Sequence, residues 1–238
     1  MTKRSMNQRP GTTAIALALI VLSPFASASP ASKEYVDKQI KEAVEQVQIQ
    51  IHQENTRIEA QITELKHHIG ELYQGGVVFW LDESHQHGLV AARVIPTTGS
   101  GIPWRNGESG DKTTNARANG LFAGLSNTHL IISEQTIDDQ EGQFAALIAH
   151  QFAVQEDDET PCNQTHACYG NWYLPSLAEL QLIRQNLYLH GLGQWIAGRY
   201  WSSSEDSVSS AFVLDFGSGA QSSTDKAMEA HVLPIHAF

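Results

Sequence analysis

Cys162 and Cys168 are the only thiols in this 238-residue chain. Joined, they close a short ring that pins the polar stretch around them, a contribution of at most about 3 kcal/mol. An even cysteine count in a chain with an export leader favours that disulfide. Reduced, with His166 between them, they would offer two thiolates and an imidazole to zinc, although no fourth ligand stands out. The C-x-x-C spacing of a redox pair is absent. His85-Gln86-His87 sets two imidazoles near a predicted hairpin turn, where they either ligate a metal or face solvent. Glu156-Asp157-Asp158-Glu159 could offer oxygens to calcium, but adjacent acids lack the spaced Asp/Asn-x-Asp pattern of a calcium loop. The expectation is a Cys162–Cys168 disulfide and no metal or cofactor, with calcium the one ion left open.

No nucleophile motif is present: there is no G-x-S-x-G, no H-E-x-x-H and no phosphate loop. Ser202-Ser203-Ser204-Glu205 could be imagined as a catalytic serine run, but beside Tyr200-Trp201 it reads as a strand end or turn. No catalytic residue is assigned, and the chain reads as a non-enzyme. Trp80, Trp104, Trp172, Tyr173, Trp195, Tyr200 and Trp201 read mostly as core. Trp104 and Trp195 sit in Gly-rich or polar surroundings and are the candidates for a surface platform that grips a sugar ring or an apolar anchor. Arg93, Arg105, Lys112 and Arg117 lie within one segment and could form a basic ligand patch.

These residues must be carried by elements, and the N-terminus says where they are carried to. Lys3, Arg4 and Arg9 precede an apolar run from Thr12 to Leu22, and Ala26-Ser27-Ala28 follows as a small-x-small cleavage site. That order is a secretory signal peptide over residues 1–28. The run is about half the ~20 apolar residues that span a bilayer, so an uncleaved anchor is the weaker alternative. With the leader removed, 12 Lys/Arg face 26 Asp/Glu, and residues 73–238 hold seven of the former against eighteen of the latter. So acidic a chain does not bind nucleic acid or anionic lipid through bulk electrostatics. The expected location is extracytoplasmic (secreted, periplasmic or cell-surface), with no transmembrane segment after cleavage.

Residues 29–72 read as a coiled-coil stalk. Val44, Ile51, Ile58, Leu65 and Leu72 fall seven apart, accompanied by Ile40 and Val47 before the middle and by Ile62 and Ile69 after it. The second seam changes sides at Glu54-Asn55, a stutter that locally unwinds a supercoil and gives Asn55 a core position. A helix folded back onto the following domain is the alternative. Mixed Ile and Val in the first half favour three strands, and Ile with Leu in the second favours two.

Residues 73–238 read as one α+β domain. Strands are expected at Val77–Leu81, Leu89–Ile95, Tyr200-Trp201, Ala211–Phe216 and His231–Ala237, the last closing a sheet with the first. Helices are expected at Thr113–Leu125, at Gln140–Val154, and after Ser176, which forms a capping box with Glu179.

Tyr73 to Trp80, Gly170-Asn171-Trp172-Tyr173-Leu174-Pro175-Ser176 with Glu179-Leu180, Tyr200 to Glu205 and the final Ala237-Phe238 form an ordered set of blocks. They resemble the family named for the C-terminal domain of the Legionella collagen-like protein, over essentially all of residues 73–238. The resemblance implies a C-type-lectin-like head, trimeric assembly, a surface location and attachment through sulfated polysaccharides. Here a coiled coil stands where the named member has a collagen-like stalk, and the calcium-dependent sugar triplets of true C-type lectins are absent. The matching residues read as caps, turns and core aromatics, not as ligand contacts. The expected function is an exported adhesion or carbohydrate-binding module displayed as a homotrimer or dimer, with a polysaccharide or an envelope or host surface component as ligand. The alternative is an envelope protein-interaction or structural module that binds no glycan.

Overall fold

The computed structural model describes residues 33–64, 66–155, 162–163 and 166–238. The leader and the acidic run at 156–159 lie outside them. The chain divides into two compact units at Ala60–Gln61. Helix α1, Lys33–Glu64, is 32 residues long, about 48 Å at 1.5 Å per residue. It keeps the expected stripe: Ile40, Val44, Val47, Ile51, Ile58 and Ile62 are all exposed in the single chain.

The helix ends eight residues before Leu72, which corrects the expected length of the stalk. The cause lies in the sheet that follows. His67 donates its N–H to His85 O (2.9 Å), Gly70 donates to Val78 O (2.8 Å), and Val78 donates to Glu71 O (2.9 Å). The strand edge thus claims backbone groups that a continuing helix would have needed. Leu72 opens a strand instead.

Four strands form the first sheet: β1 (Leu72–Tyr73), β2 (Gly76–Leu81), β3 (Gly88–Ala92) and, from the far end of the chain, Ile235–Ala237, all antiparallel. The two ends of the domain therefore meet in one sheet, as the pattern predicts. β2 carries a bulge at Phe79, since Val78 pairs with Val90 and Trp80 with Leu89. An extra residue reverses the alternation. Val77, Phe79 and Trp80 pack on one side, Val78 and Leu81 on the other. The bulged carbonyl of Phe79 accepts from Asn186 Nδ2 (3.0 Å).

The middle of the chain supplies β4 (Ile102–Pro103), α2 (Ala123–Gln135), α3 (Ala145–Gln151), β5 (Val154–Gln155), β6 (Cys168–Tyr169) and α4 (Leu177–Asn186). A three-stranded antiparallel sheet follows: β7 (Arg199–Glu205), β8 (Ser210–Asp215) and β9 (Gln221–Asp225). β10 (Glu229–Ala230) pairs with β4, and β11 is the closing strand at Ile235–Ala237. Tyr200 and Leu214 face the core under α4 and the first sheet, while Trp201 and Val213 face a second core under α2 and α3. This is a mixed α+β architecture of small antiparallel sheets.

Both middle helices are shorter or later than the periodicity predicts. Residues 113–119 are irregular because Thr114 and Asn115 donate their N–H groups to the Glu205 carboxylate (2.8 and 2.9 Å). The expected helix therefore starts only at Ala123. Asp139 Oδ1 accepts from the N–H groups of Glu141 and Gly142, a local turn that delays α3 until Ala145. The closing strand shortens to Ile235–Ala237 because Pro234 has no N–H to offer. β9, a hydroxyl-rich exposed strand, is absent from the sequence expectation.

One ion pair fastens the loop of residues 104–119 to the second sheet. Lys226 and Glu205 are both fully buried, with Nζ 2.7 Å from Oε1. Nζ also donates to Lys112 O (2.8 Å) and Val208 O (2.9 Å), and lies 4.6 Å over the Trp104 ring. Desolvation pushes the Lys226 ammonium below its usual range, against the pull of Glu205. Every ammonium proton has an acceptor, which is the condition for burying such a charge. Lys226→Met is expected to lower unfolding free energy by about 3–5 kcal/mol, because Glu205 is left as an uncompensated buried charge. The double variant Lys226→Met with Glu205→Gln is expected to recover part of that loss, since it removes the unpaired charge and keeps a carbonyl acceptor for the Thr114 and Asn115 N–H groups, and urea titration of the three proteins checks the order.

Candidate functional site

The predicted platform tryptophans are interior. Trp104 is fully buried and donates Nε1–H to Ser202 O (2.9 Å). Trp195 is buried and donates Nε1–H to Ala92 O (2.9 Å). Their Gly-rich surroundings reflect tight packing: a β-carbon at Gly193 would strike the Trp195 ring at 2.2 Å. Neither ring can serve as a surface platform in this fold.

Two of the four predicted cations are engaged by carboxylates. Arg105 pairs with Asp111 (3.6 Å) and donates to Glu108 O (2.7 Å). Lys112 pairs with Asp138. Arg117 lies within electrostatic reach of both Asp206 and Lys226. Arg93 is half-buried just beyond the end of β3.

Ser202, Ser203, Ser204 and Glu205 are buried fastenings between elements. Ser202 Oγ donates to Phe212 O (2.8 Å), Asn127 Nδ2 donates to Ser203 Oγ (3.2 Å), and Leu177 donates its N–H to Ser204 Oγ (3.2 Å). Cys162 and Cys168 form the expected disulfide, with their Cα atoms 5.8 Å apart. His85 sits in an exposed turn with φ +60°, its Nδ1 3.2 Å from His67 O. Among the described residues no group of three or more His, Cys, Asp or Glu forms a metal site.

The exposed aromatic surface lies elsewhere. Phe122 immediately precedes α2 and adopts left-handed backbone, φ 62° and ψ 2°. That region is a steric outlier for a bulky L-residue and needs support from its surroundings. The Phe122 side chain is nonetheless 48% exposed, flanked by Leu121 at 38% and Leu125 at 42%. The half-buried Trp80 ring meets it edge-on, 5.5 Å between centroids at 89°. Trp80 is there because the Phe79 bulge turns it onto the α4 side of the sheet.

The support is a buried carboxylate. Glu179 accepts N–H bonds from Phe122 (2.7 Å), Gly124 (3.2 Å) and Ser176 (2.7 Å). It completes the capping box of α4, in which its own N–H donates to Ser176 Oγ (3.2 Å), and it also takes donors from the start of α2. Two helix N-termini, each carrying partial positive charge, thus share one anion. The approach is close enough that a β-carbon at Gly124 would lie 2.6 Å from Glu179 Oε2. Desolvation raises the Glu179 pKa above the usual carboxylate range, opposed by these donors. Tyr173 Oη is buried beside the carboxylate without hydrogen-bond geometry. Burial first, then the Glu179 charge, hold its phenol well above its ordinary range.

Sequence reading finds the cap, Ser176 with Glu179, but not the exposed aromatic it supports. Phe122 contacts that carboxylate across 57 positions of chain, and no local pattern marks it. No family model matches this chain, and no curated protein matches it.

Glu179→Gln is expected to cost about 1–3 kcal/mol, because an amide nitrogen would face backbone donors inside the protein. The pH dependence has a definite sign. A carboxyl whose folded pKa is raised binds more protons folded than unfolded, so its contribution is present below the ordinary carboxylate range and is lost as pH rises through the folded value. The stability gap between wild type and Glu179→Gln should therefore narrow across that window, as measured by urea unfolding at a series of pH values; a gap that widens would contradict the assignment.

Proposed function

We propose that this chain is an exported, stalk-borne attachment module, in which several copies associate through α1 and present their heads together. One observation carries the reading. Ile40, Ile51, Ile58 and Ile62 are 57%, 55%, 44% and 47% exposed on α1 of a single chain. An exposed apolar stripe along a largely polar helix is buried most simply against copies of itself. Mixed Ile and Val in its first half favour three strands. The disulfide supports an oxidising, extracytoplasmic setting, and no described helix is long and apolar enough to cross a membrane. The resemblance of the head's sequence blocks to the collagen-like protein family supports a C-type-lectin-like head and surface attachment. Display as a trimer would let weak head contacts act together, since the second contact becomes intramolecular.

The test is the mass of the mature chain by light scattering across a dilution series. The expected value is a multiple of the protomer mass, and Ile51→Glu with Ile58→Glu is expected to reduce it to one protomer while thermal unfolding of the head stays in place. A single protomer at every concentration of the unmodified chain overturns the reading.

A further inference from the structure

Resting on the reading of the head as a binding module, we infer that the face formed by Trp80, Leu121, Phe122 and Leu125 docks an apolar side chain from a cationic segment of a partner protein. The apolar half of this inference comes from construction. Phe122 is held solvent-facing in a left-handed conformation by a buried carboxylate, although a smaller residue would suit that backbone better. Trp80 backs it through a bulge. Two independent departures from regular geometry, 43 residues apart in the chain, converge on one exposed aromatic contact.

The neighbouring polar groups argue for a protein anchor over a sugar. A sugar site needs side-chain donors and acceptors turned outward beside the ring. Here Glu179 is committed to three backbone N–H groups, Ser176 Oγ donates to Gly120 O (2.8 Å), and Asn119 Oδ1 accepts from Ala178 N (2.8 Å). Leucines flank the ring instead.

Charge complementarity supplies the cationic half. The head carries eighteen Asp/Glu against seven Lys/Arg, and Arg105, Lys112 and Lys226 are each paired with a carboxylate. Asp82 and Glu83 follow Trp80-Leu81 directly in the chain. The Ser84 hydroxyl bond, ahead of the other contributions, holds Asp82 below its usual range, so it stays charged. A partner presenting Leu or Phe among Lys and Arg meets an apolar face within a negative field.

The experiment titrates the full mature chain with a fluorescent amphipathic Leu/Lys peptide, its Leu/Glu counterpart, heparin and a neutral oligosaccharide. Phe122→Asn tests the face, because Asn tolerates left-handed backbone; Leu125→Ser is a second variant on the exposed side of α2. The expected result is binding of the Leu/Lys peptide alone, weakened about tenfold or more in either variant, with thermal unfolding unchanged in Leu125→Ser and unchanged or raised in Phe122→Asn. Equal binding by wild type and both variants would mean bulk electrostatics and would overturn the inference. So would glycan binding that the same variants abolish. The oligomeric mass of the same samples separates the two readings: a monomer whose binding still depends on Phe122 removes the stalk and keeps the face, and an intact oligomer indifferent to Phe122 removes the face and keeps the stalk.

Discussion

A carboxylate without water must be surrounded by donors, and at Glu179 that requirement organises the head. The carboxylate comes from the first turn of α4, where it closes a capping box. Its remaining acceptor capacity is satisfied by the start of α2. Leaving a buried charge underpaired costs several kcal/mol, so the two helix starts cannot drift apart independently. α4 packs between the two sheets and α2 covers the far face of β7 and β8. One anion therefore fixes the relation of both layers. The backbone strain at Phe122 is sustained by the same bonds.

The Lys226–Glu205 pair does for the loop of residues 104–119 what Glu179 does for the helices. Glu205 accepts from Thr114 and Asn115 as well as from Lys226. The loop has little regular structure of its own, so its backbone groups find partners in side chains. Trp104 is drawn under the ammonium, and Arg105 and Lys112 end beside acids. A segment that looks in sequence like an exposed basic patch thus becomes a lid over a buried ion pair. The difference is one of pairing, not composition: cations close together in sequence attract anions only when other carboxylates have not already met them.

These two clusters mark what sequence pattern can and cannot reach. Local signals survive intact: the capping box at Ser176, the strand runs at Val77–Leu81 and Ala211–Phe216, and the apolar stripe of α1. Each rests on residues within a turn or two of one another, or on a period of two or seven. The misplaced elements are those decided at long range. The start of α2 depends on Glu205, some 90 residues away from Thr114 and Asn115. Helix α1 stops at Glu64 because the edge of β2 claims the following backbone. Trp104 and Trp195 have polar and glycine neighbours for the ordinary reason that a buried indole needs an acceptor for its N–H and space for its ring.

Strain and exposure together give the Phe122 face its meaning. An exposed phenylalanine alone is unremarked on a surface where apolar atoms are common. A left-handed non-glycine alone is often a turn. At this position the fold sustains both, and it uses a buried carboxylate and a strand bulge to do so. Selection for stability alone would favour Asn or Gly at residue 122, relieving the strain with no loss of core. Retaining an aromatic there makes sense if the ring meets something outside the chain. In the proposed oligomer, even a modest apolar contact of this kind would hold, because each copy that engages would raise the effective concentration of the next.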